Sequence, residues 1–330
     1  MTAQTQAPVP AAARETRPGT AQALAWSRRN TVYVALAALM AFNLIATSGF
    51  ANVWTIQNLL FTAAPIILIA VGQTLAIGTG GIDLSVGSVM ALASAVIAQY
   101  LGYGEPAALL AAVAAAGLIG AINGSLITFL RINPLITGLG LLVAVRGLAQ
   151  ALTGGARSDL PFEGFFSWLG TASVAGIPVV ALAAGGIAVA VAVAIRRTAF
   201  GRYALFAGSN RTAAFLAGTP RLSTLMTIYI LSAVLAGIAG VMVSDRIGAS
   251  DPSFIGVNFE LTAIAAVVIG GTPLAGGKIS IPGAVAAAVF LQLIDTTFVM
   301  HDLNFAFAQI LKAILIVAAL YLQRSAKESR

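Results

Sequence analysis

The chain has no cysteine and only one histidine, His301. Without cysteine there is no disulfide, no thiolate nucleophile and no cysteine-held zinc. A single histidine likewise excludes a histidine-cluster metal site within one chain. Charge is scarce as well: 9% of the 330 residues are Asp, Glu, Lys or Arg, where a soluble domain has about 25%. In its place stand long apolar runs, with 59% hydrophobic residues and a mean hydropathy of +0.94. These runs recur too often and last too long for the core of a soluble domain. An all-α, polytopic membrane protein is expected.

A bilayer crossing needs about 20 mostly apolar residues. Ten segments qualify, near 31–48, 59–78, 85–102, 107–129, 134–152, 173–195, 223–243, 262–275, 281–300 and 305–323. The eighth is the weakest, because Gly270, Gly271 and Pro273 shorten it; Gly87 interrupts the third early. Residues 1–30 are rich in Ala, Pro, Thr and Gln, and no apolar stretch precedes the first crossing. They read as a disordered cytoplasmic tail rather than a cleaved signal. Residues 31–323 then form the membrane domain and 324–330 a second cytoplasmic tail.

The net charge of +7 is explained by where the charges fall. With the N-terminus inside and ten alternating spans, 14 of the 18 Lys and Arg lie in inner segments: Arg14, Arg17, Arg28, Arg29, Arg131, Arg196, Arg197, Arg202, Arg211, Arg221, Lys278, Arg324, Lys327 and Arg330. The outer connections hold Glu105, Asp159, Glu163, Asp245, Asp251, Glu260 and Asp302, with only Arg157 and Arg246 as bases. Basic residues accumulate in cytoplasmic connections, so both termini are expected inside. The excess is a topology signal and not a nucleic-acid footprint; contact with membrane lipid at the inner surface accords with it.

The most informative stretch is Gly78-Thr79-Gly80-Gly81-Ile82-Asp83-Leu84-Ser85-Val86-Gly87-Ser88, which joins two apolar segments. Glycine permits turns that other residues resist. Irregular backbone at membrane depth survives only where protein buries it or water reaches it. The stretch is therefore a surface turn or a broken-helix element beside a pathway. Asp83 could touch a substrate, or its carboxylate could cap the following helix with Ser85 as the competing cap. A weak echo follows at Val268-Ile269-Gly270-Gly271-Thr272-Pro273, continuing through Gly276, Gly277 and Lys278. Paired glycine-interrupted segments are a mark of transporter repeats.

The longest inner connection, 196–222, also stands apart. Asn210 or Ser209 could cap a short helix over Arg211–Ala217, placing Ala213, Ala214 and Ala217 on one small-residue face. Exposed apolar residues there fit a partner surface; a basic re-entry loop with Phe215 on the membrane fits as well. Gly271–Lys278 fails the phosphate-loop pattern, since Ile279 follows the lysine. No nucleotide site is readable, so an ATP-driven protein would need a separate ATPase subunit. Arg146, Asp295 and Lys312 lie within spans, where charge is costly. They read as a polar pathway, as a proton relay through Asp295, or as an ion pair of Asp295 with Lys312 or Arg146. His301-Asp302 has no nucleophile elbow beside it, and no catalytic, cofactor or metal residue is expected.

The run Gly81–Ser88, together with Gly201-Arg202, Ala207-Gly208-Ser209-Asn210, Ala213-Ala214, Gly218 and Ile269-Gly270-Gly271-Thr272…Gly276-Gly277, resembles the permease subunits of bacterial ATP-binding cassette importers for monosaccharides, of the ribose/xylose/arabinose/rhamnose type. The resemblance covers about Leu59 to Tyr321. It implies a multi-pass inner-membrane protein working as a homodimer or with a sister permease. It further implies cytoplasmic ATPase subunits that carry ATP and magnesium, and a periplasmic sugar-binding protein. By the same resemblance, Gly201, Arg202, Gly208, Ser209, Asn210, Arg211, Ala213, Ala214 and Gly218 belong to the loop that couples to the ATPase. Gly78, Gly81, Asp83, Ser85, Gly87, Gly270, Gly271, Gly276 and Gly277 become the pathway or helix-break candidates. Two competing expectations are a proton-coupled secondary carrier using Asp295, and a permease for branched-chain amino acids.

Overall fold

The computed structural model describes residues 30–160, 164–209, 214, 216 and 218–328, with side chains to residue 321. Of the sequence expectations, the tail before residue 30 and Asn210, Arg211 and Ala213 lie outside the described residues.

The architecture follows from one helix that is enclosed by protein over most of its length. Helix α2 (Val53–Gly78) opens on Asn52, whose side chain accepts from the Trp54 amide at 3.0 Å. It continues through Pro65 for 26 residues, and 89% of its most apolar window is buried. It ends in a glycine cap. The Gly80 amide donates to Ile77 O at 2.9 Å and the Gly81 amide to Ala76 O at 3.0 Å, with Gly80 at φ +81°. Only glycine takes that φ without strain, and the two bonds form a Schellman motif.

Around α2 lie α1 (Thr31–Ala46), α3 (Val86–Tyr100), α4 (Glu105–Thr128), α5 (Pro134–Thr153), α6 (Gly164–Thr171), α7 (Val179–Arg197), α8 (Ala199–Ser209), α9 (Arg221–Ile247), α10 (Phe259–Ile269), α11 (Ile281–Met300) and α12 (Phe305–Glu328). Four two-residue strands, β1 (Ser158–Asp159), β2 (Ser173–Val174), β3 (Ile177–Pro178) and β4 (Ala249–Ser250), make two small antiparallel pairs. Among the described residues seven helices are long and apolar enough to cross a membrane, and three shorter apolar ones accompany them. The latter are Thr31–Ala46, Phe259–Ile269 and Phe305–Tyr321.

Close helix approach rests on small residues, as it does where lipid supplies no hydrophobic drive. A Cβ on Gly120 of α4 would lie 2.7 Å from the Cβ of Ala233 in α9, and one on Gly240 of α9 would lie 2.4 Å from Met90 O in α3. Helices α2, α3 and α9, the most buried over their apolar windows, form the interior, and α4 packs one face against them. Helix α5, only 22% buried over its most apolar window, lies at the rim.

Contacts between connections sort the bundle into two ends. At one end β1 pairs with β4, the Phe166 amide donates to Glu105 Oε2 at 2.9 Å, Thr47 bonds His301 at 3.0 Å, and Arg246 bonds Asn58. At the other end the Gly277 amide donates to Gly78 O at 2.9 Å, while Gly81 abuts Tyr229 and Pro134.

Several boundaries differ from the sequence reading. The sixth crossing begins at Val179 because Ala175 and Gly176, both at positive φ, turn 173–178 into a hairpin. The weak eighth segment is helical only over 11 residues, about 16 Å, half a bilayer. Eleven residues of the 196–222 connection are helix α8, and α12 continues through 324–328.

Candidate pathway and coupling elements

The two glycine breaks end their helices in the same way. After α10 the Gly271 amide donates to Val268 O at 3.0 Å and the Thr272 amide to Val267 O at 3.1 Å, with Gly271 at φ +87°. This is again a Schellman motif, so Gly271 matches Gly80. Gly270 is pressed onto the start of α11: a Cβ there would lie 2.4 Å from Ala284 N. The non-helical backbone after α10 is therefore held against protein, the condition irregular backbone needs at membrane depth.

The breaks also meet each other. Besides the Gly277–Gly78 bond, a Cβ on Gly276 would lie 2.8 Å from Gly80 N. The end of α8 arrives at the same place, where a Cβ on Gly208 would lie 2.0 Å from Gly78 O. At the other end of α8, a Cβ on Gly201 would lie 1.8 Å from Ile195 O. Of the remaining loop residues, Arg202 is exposed, Ala214 is buried, and Ser209 Oγ donates to Leu205 O at 2.6 Å. Gly218 has φ +64°.

Asp83 lies between two spans and is 1% exposed. Its Oδ1 accepts from the Ser85 amide at 3.0 Å, Ser85 Oγ at 2.6 Å and Asn123 Nδ2 at 3.2 Å. Its Oδ2 accepts from Ser232 Oγ at 3.1 Å. Burial pushes this carboxyl above its ordinary range, while the bonds from Ser85, Ser232 and Asn123 pull it down. The arrangement ties the entry of α3 to α4 and α9. Asn123 and Ser232 carry no signature in the sequence that would have assigned them to this carboxylate. Gly87, one turn on, sits against another backbone: a Cβ would lie 2.2 Å from Gly256 O and 2.4 Å from Glu260 Oε2.

The three intramembrane charges separate. Lys312 is paired with Asp295, whose Oδ1 is buried without a hydrogen-bond partner. Arg146 joins neither; its Nη1 donates to Pro252 O at 2.7 Å and Ile255 O at 2.8 Å, clamping the connection before α10.

The Asp295–Lys312 pair faces a cavity of about 880 Å³ at the end of the bundle that holds Asn58 and Arg246. Trp54, Phe61 and Phe305 supply aromatic surface, and Asn58, Gln292 and Gln309 supply amides. A second cavity, of about 1040 Å³, opens at the opposite end between Gly80–Ile82, Arg131–Leu135 and Thr219–Ser223. Sequence reading had no means to find either, since their walls come from segments far apart in the chain. Among the described residues no group of three or more His, Asp or Glu is placed to hold a metal ion.

Residues 55–320 match the family model described as branched-chain amino acid transport system / permease component. The galactofuranose transporter permease protein YtfT of Escherichia coli K12 is 37% identical over 268 residues, 81% of this chain and 78% of that protein. The fructose import permease protein FruF of Bifidobacterium longum is 36% identical over 263 residues, 78% of this chain and 73% of its own length. The ribose import permease protein RbsC of Escherichia coli K12 is 33% identical over 301 residues, 89% and 93% respectively. No solved structure matches. A bundle of apolar helices broken by paired glycine caps, matched over most of its length by the family model, belongs to the branched-chain amino acid transport system permease component family.

Proposed function

We propose that the chain is the membrane-spanning permease subunit of an ATP-driven importer, and that it forms the inner-membrane path for a monosaccharide. The observation that carries the sugar is the set of relatives, whose names specify galactofuranose, fructose and ribose at 33–37% identity. The family description names branched-chain amino acids, but the relatives that align along most of this chain are sugar permeases.

The seven long and three shorter apolar helices make ten passages, the eighth of them completed by the protein-held connection before the half-length α10, with both termini in the cytoplasm. The bundle end with Arg131, Arg196, Arg197, Arg202, Arg221 and Lys278 then faces inward, and the end with Glu105, Asp159, Asp245, Asp251 and Asp302 faces outward. ATP is hydrolysed, with magnesium, on separate cytoplasmic subunits that seat on the 196–222 loop. A second copy or a sister permease completes the path, and a periplasmic binding protein delivers sugar to the outer face. The outer cavity suits such a cargo. Its volume falls within the roughly 300–1,000 Å³ of small-molecule pockets, and aromatic faces beside amides match a sugar's apolar ring face and hydroxyls. Selectivity rests mainly with the binding protein, because a path that held sugar tightly would release it slowly.

The test is co-purification of the tagged chain from its native membrane, paired with a 208–218 deletion. Stoichiometric recovery of a cytosolic ATPase with the native chain, lost on deletion while the permease still inserts, supports the reading. Recovery of the chain alone, with uptake driven by a proton gradient and no ATP, overturns it.

A further inference from the structure

Helix α8 is pinned by glycine at both ends. Its start abuts the end of α7, where a Cβ on Gly201 would lie 1.8 Å from Ile195 O. Its end abuts the bond between the two breaks, where a Cβ on Gly208 would lie 2.0 Å from Gly78 O and 2.8 Å from Gly277 N. These are contacts of backbone on backbone. A side chain between two helices can change rotamer and absorb a displacement; bare backbone in a close-packed joint cannot, so a shift on one side is passed to the other. The joint also gathers three segments that are remote in the chain: the end of α2, the connection before α11, and the end of α8.

We propose that the joint of Gly78, Gly208 and Gly277 is where movement of the ATPase-facing loop enters the membrane domain, and that it reaches both glycine breaks in one step through α8. The inference rests on the reading of 196–222 as the ATPase-coupling loop. It adds that Gly208 and Gly277 are positioning residues for transport. Helix α8 is a rigid lever between the end of α7 and the joint, and the Gly277–Gly78 hydrogen bond ties α2 to the α10–α11 connection so that the two move together.

The absence of native cysteine makes the test direct. A Cβ on Gly277 would lie 3.7 Å from the Cβ of Ser209, within the range of about 3.5–4.5 Å that disulfides span. The Ser209→Cys/Gly277→Cys variant, in the complete complex with its ATPase and binding protein, is assayed for sugar uptake before oxidation, after oxidation and after reduction. A side chain at Gly277 is strained at φ +84°, so the reference is the reduced variant's own uptake and not that of the native protein. The expected result is uptake that is the same in the crosslinked and the reduced variant, with the ATPase retained throughout, because the crosslink ties parts that already move as one. Uptake that falls in proportion to the crosslinked fraction and returns on reduction would show that the joint opens during transport and overturns the proposal, and so does failure of the two cysteines to crosslink. The second variant is Gly208→Ala, which forces α8 off the joint. It is expected to insert and to keep the ATPase while losing most of its uptake; retention of uptake, or loss of ATPase binding from an inserted chain, overturns the proposal. Uptake by the native complex that needs no ATPase would instead overturn the parent reading, a result distinct from either variant's.

Discussion

Replacing Asp83 with alanine tests whether this carboxylate is a structural tie or a substrate contact. Four donors converge on it, from Ser85, Asn123 and Ser232. In Asp83→Ala the two serine hydroxyls can rotate toward other acceptors, but the Ser85 amide and Asn123 Nδ2 cannot. The loss is deeper at Asn123, because its Oδ1 is already buried without a partner. Each orphaned buried donor costs about 1–3 kcal/mol, so two set the penalty at about 2–6 kcal/mol. At about 2–4 °C per kcal/mol for chains somewhat shorter than this one, the apparent Tm of detergent-solubilised protein should fall on the order of 10 °C. Asp83→Asn keeps the shape and one acceptor oxygen and should lose less than half as much. The assay is size-exclusion recovery after heating, run beside uptake in vesicles. If Asp83→Ala melts with the native protein while uptake is abolished, the tie is refuted and the carboxylate acts in transport.

Further outcomes follow from the same geometry. Lys312→Ala strands the buried Asp295 charge and should cost about 3–5 kcal/mol in thermal recovery, whereas Asp295→Asn/Lys312→Met removes both charges and should recover most of it; ATP-driven uptake should survive in the double variant, and its loss would favour a proton relay. Gly87→Ala drives a methyl into Gly256 O and Glu260 and should lower recovery sharply. Gly140→Ala, with nothing within 4 Å of the added methyl, should stay within about 0.5 kcal/mol of native. Arg146→Ala releases Pro252 O and Ile255 O, and limited proteolysis from the outer face should then cleave 251–258 faster than in the native protein.

Much of this was legible in the chain. The apolar runs announce helices because the periodicity and length of a crossing are local properties, and the glycine clusters mark the breaks because only glycine accepts the φ of Gly80 and Gly271. The ion pair of Asp295 with Lys312 was one of three readings open in the sequence, and spacing alone could not choose among them. What local reading missed is tertiary. Asn123 and Ser232 look like ordinary interhelical polar residues until packing brings them to Asp83. The contact of Gly208 with Gly78 joins positions whose separation in the chain leaves no trace in composition. Local chemistry misled at 173–178, where Ser173 to Pro178 extends an apolar run although Ala175 and Gly176 turn it into a hairpin.

The burial of α2 over most of its length has a consequence for how the protein is made. Its partners α9 and α11 are synthesised long after it, with about 220 residues between Gly78 and Met300. At about 5–20 residues per second, α2 waits roughly 10–45 s in the membrane before the last of them emerges. During that interval Gln73 and Thr74, fully buried in the finished protein, face lipid or the insertion machinery. Until then the second helix lacks the partners that bury Gln73 and Thr74 in the finished protein, and slower translation lengthens that interval.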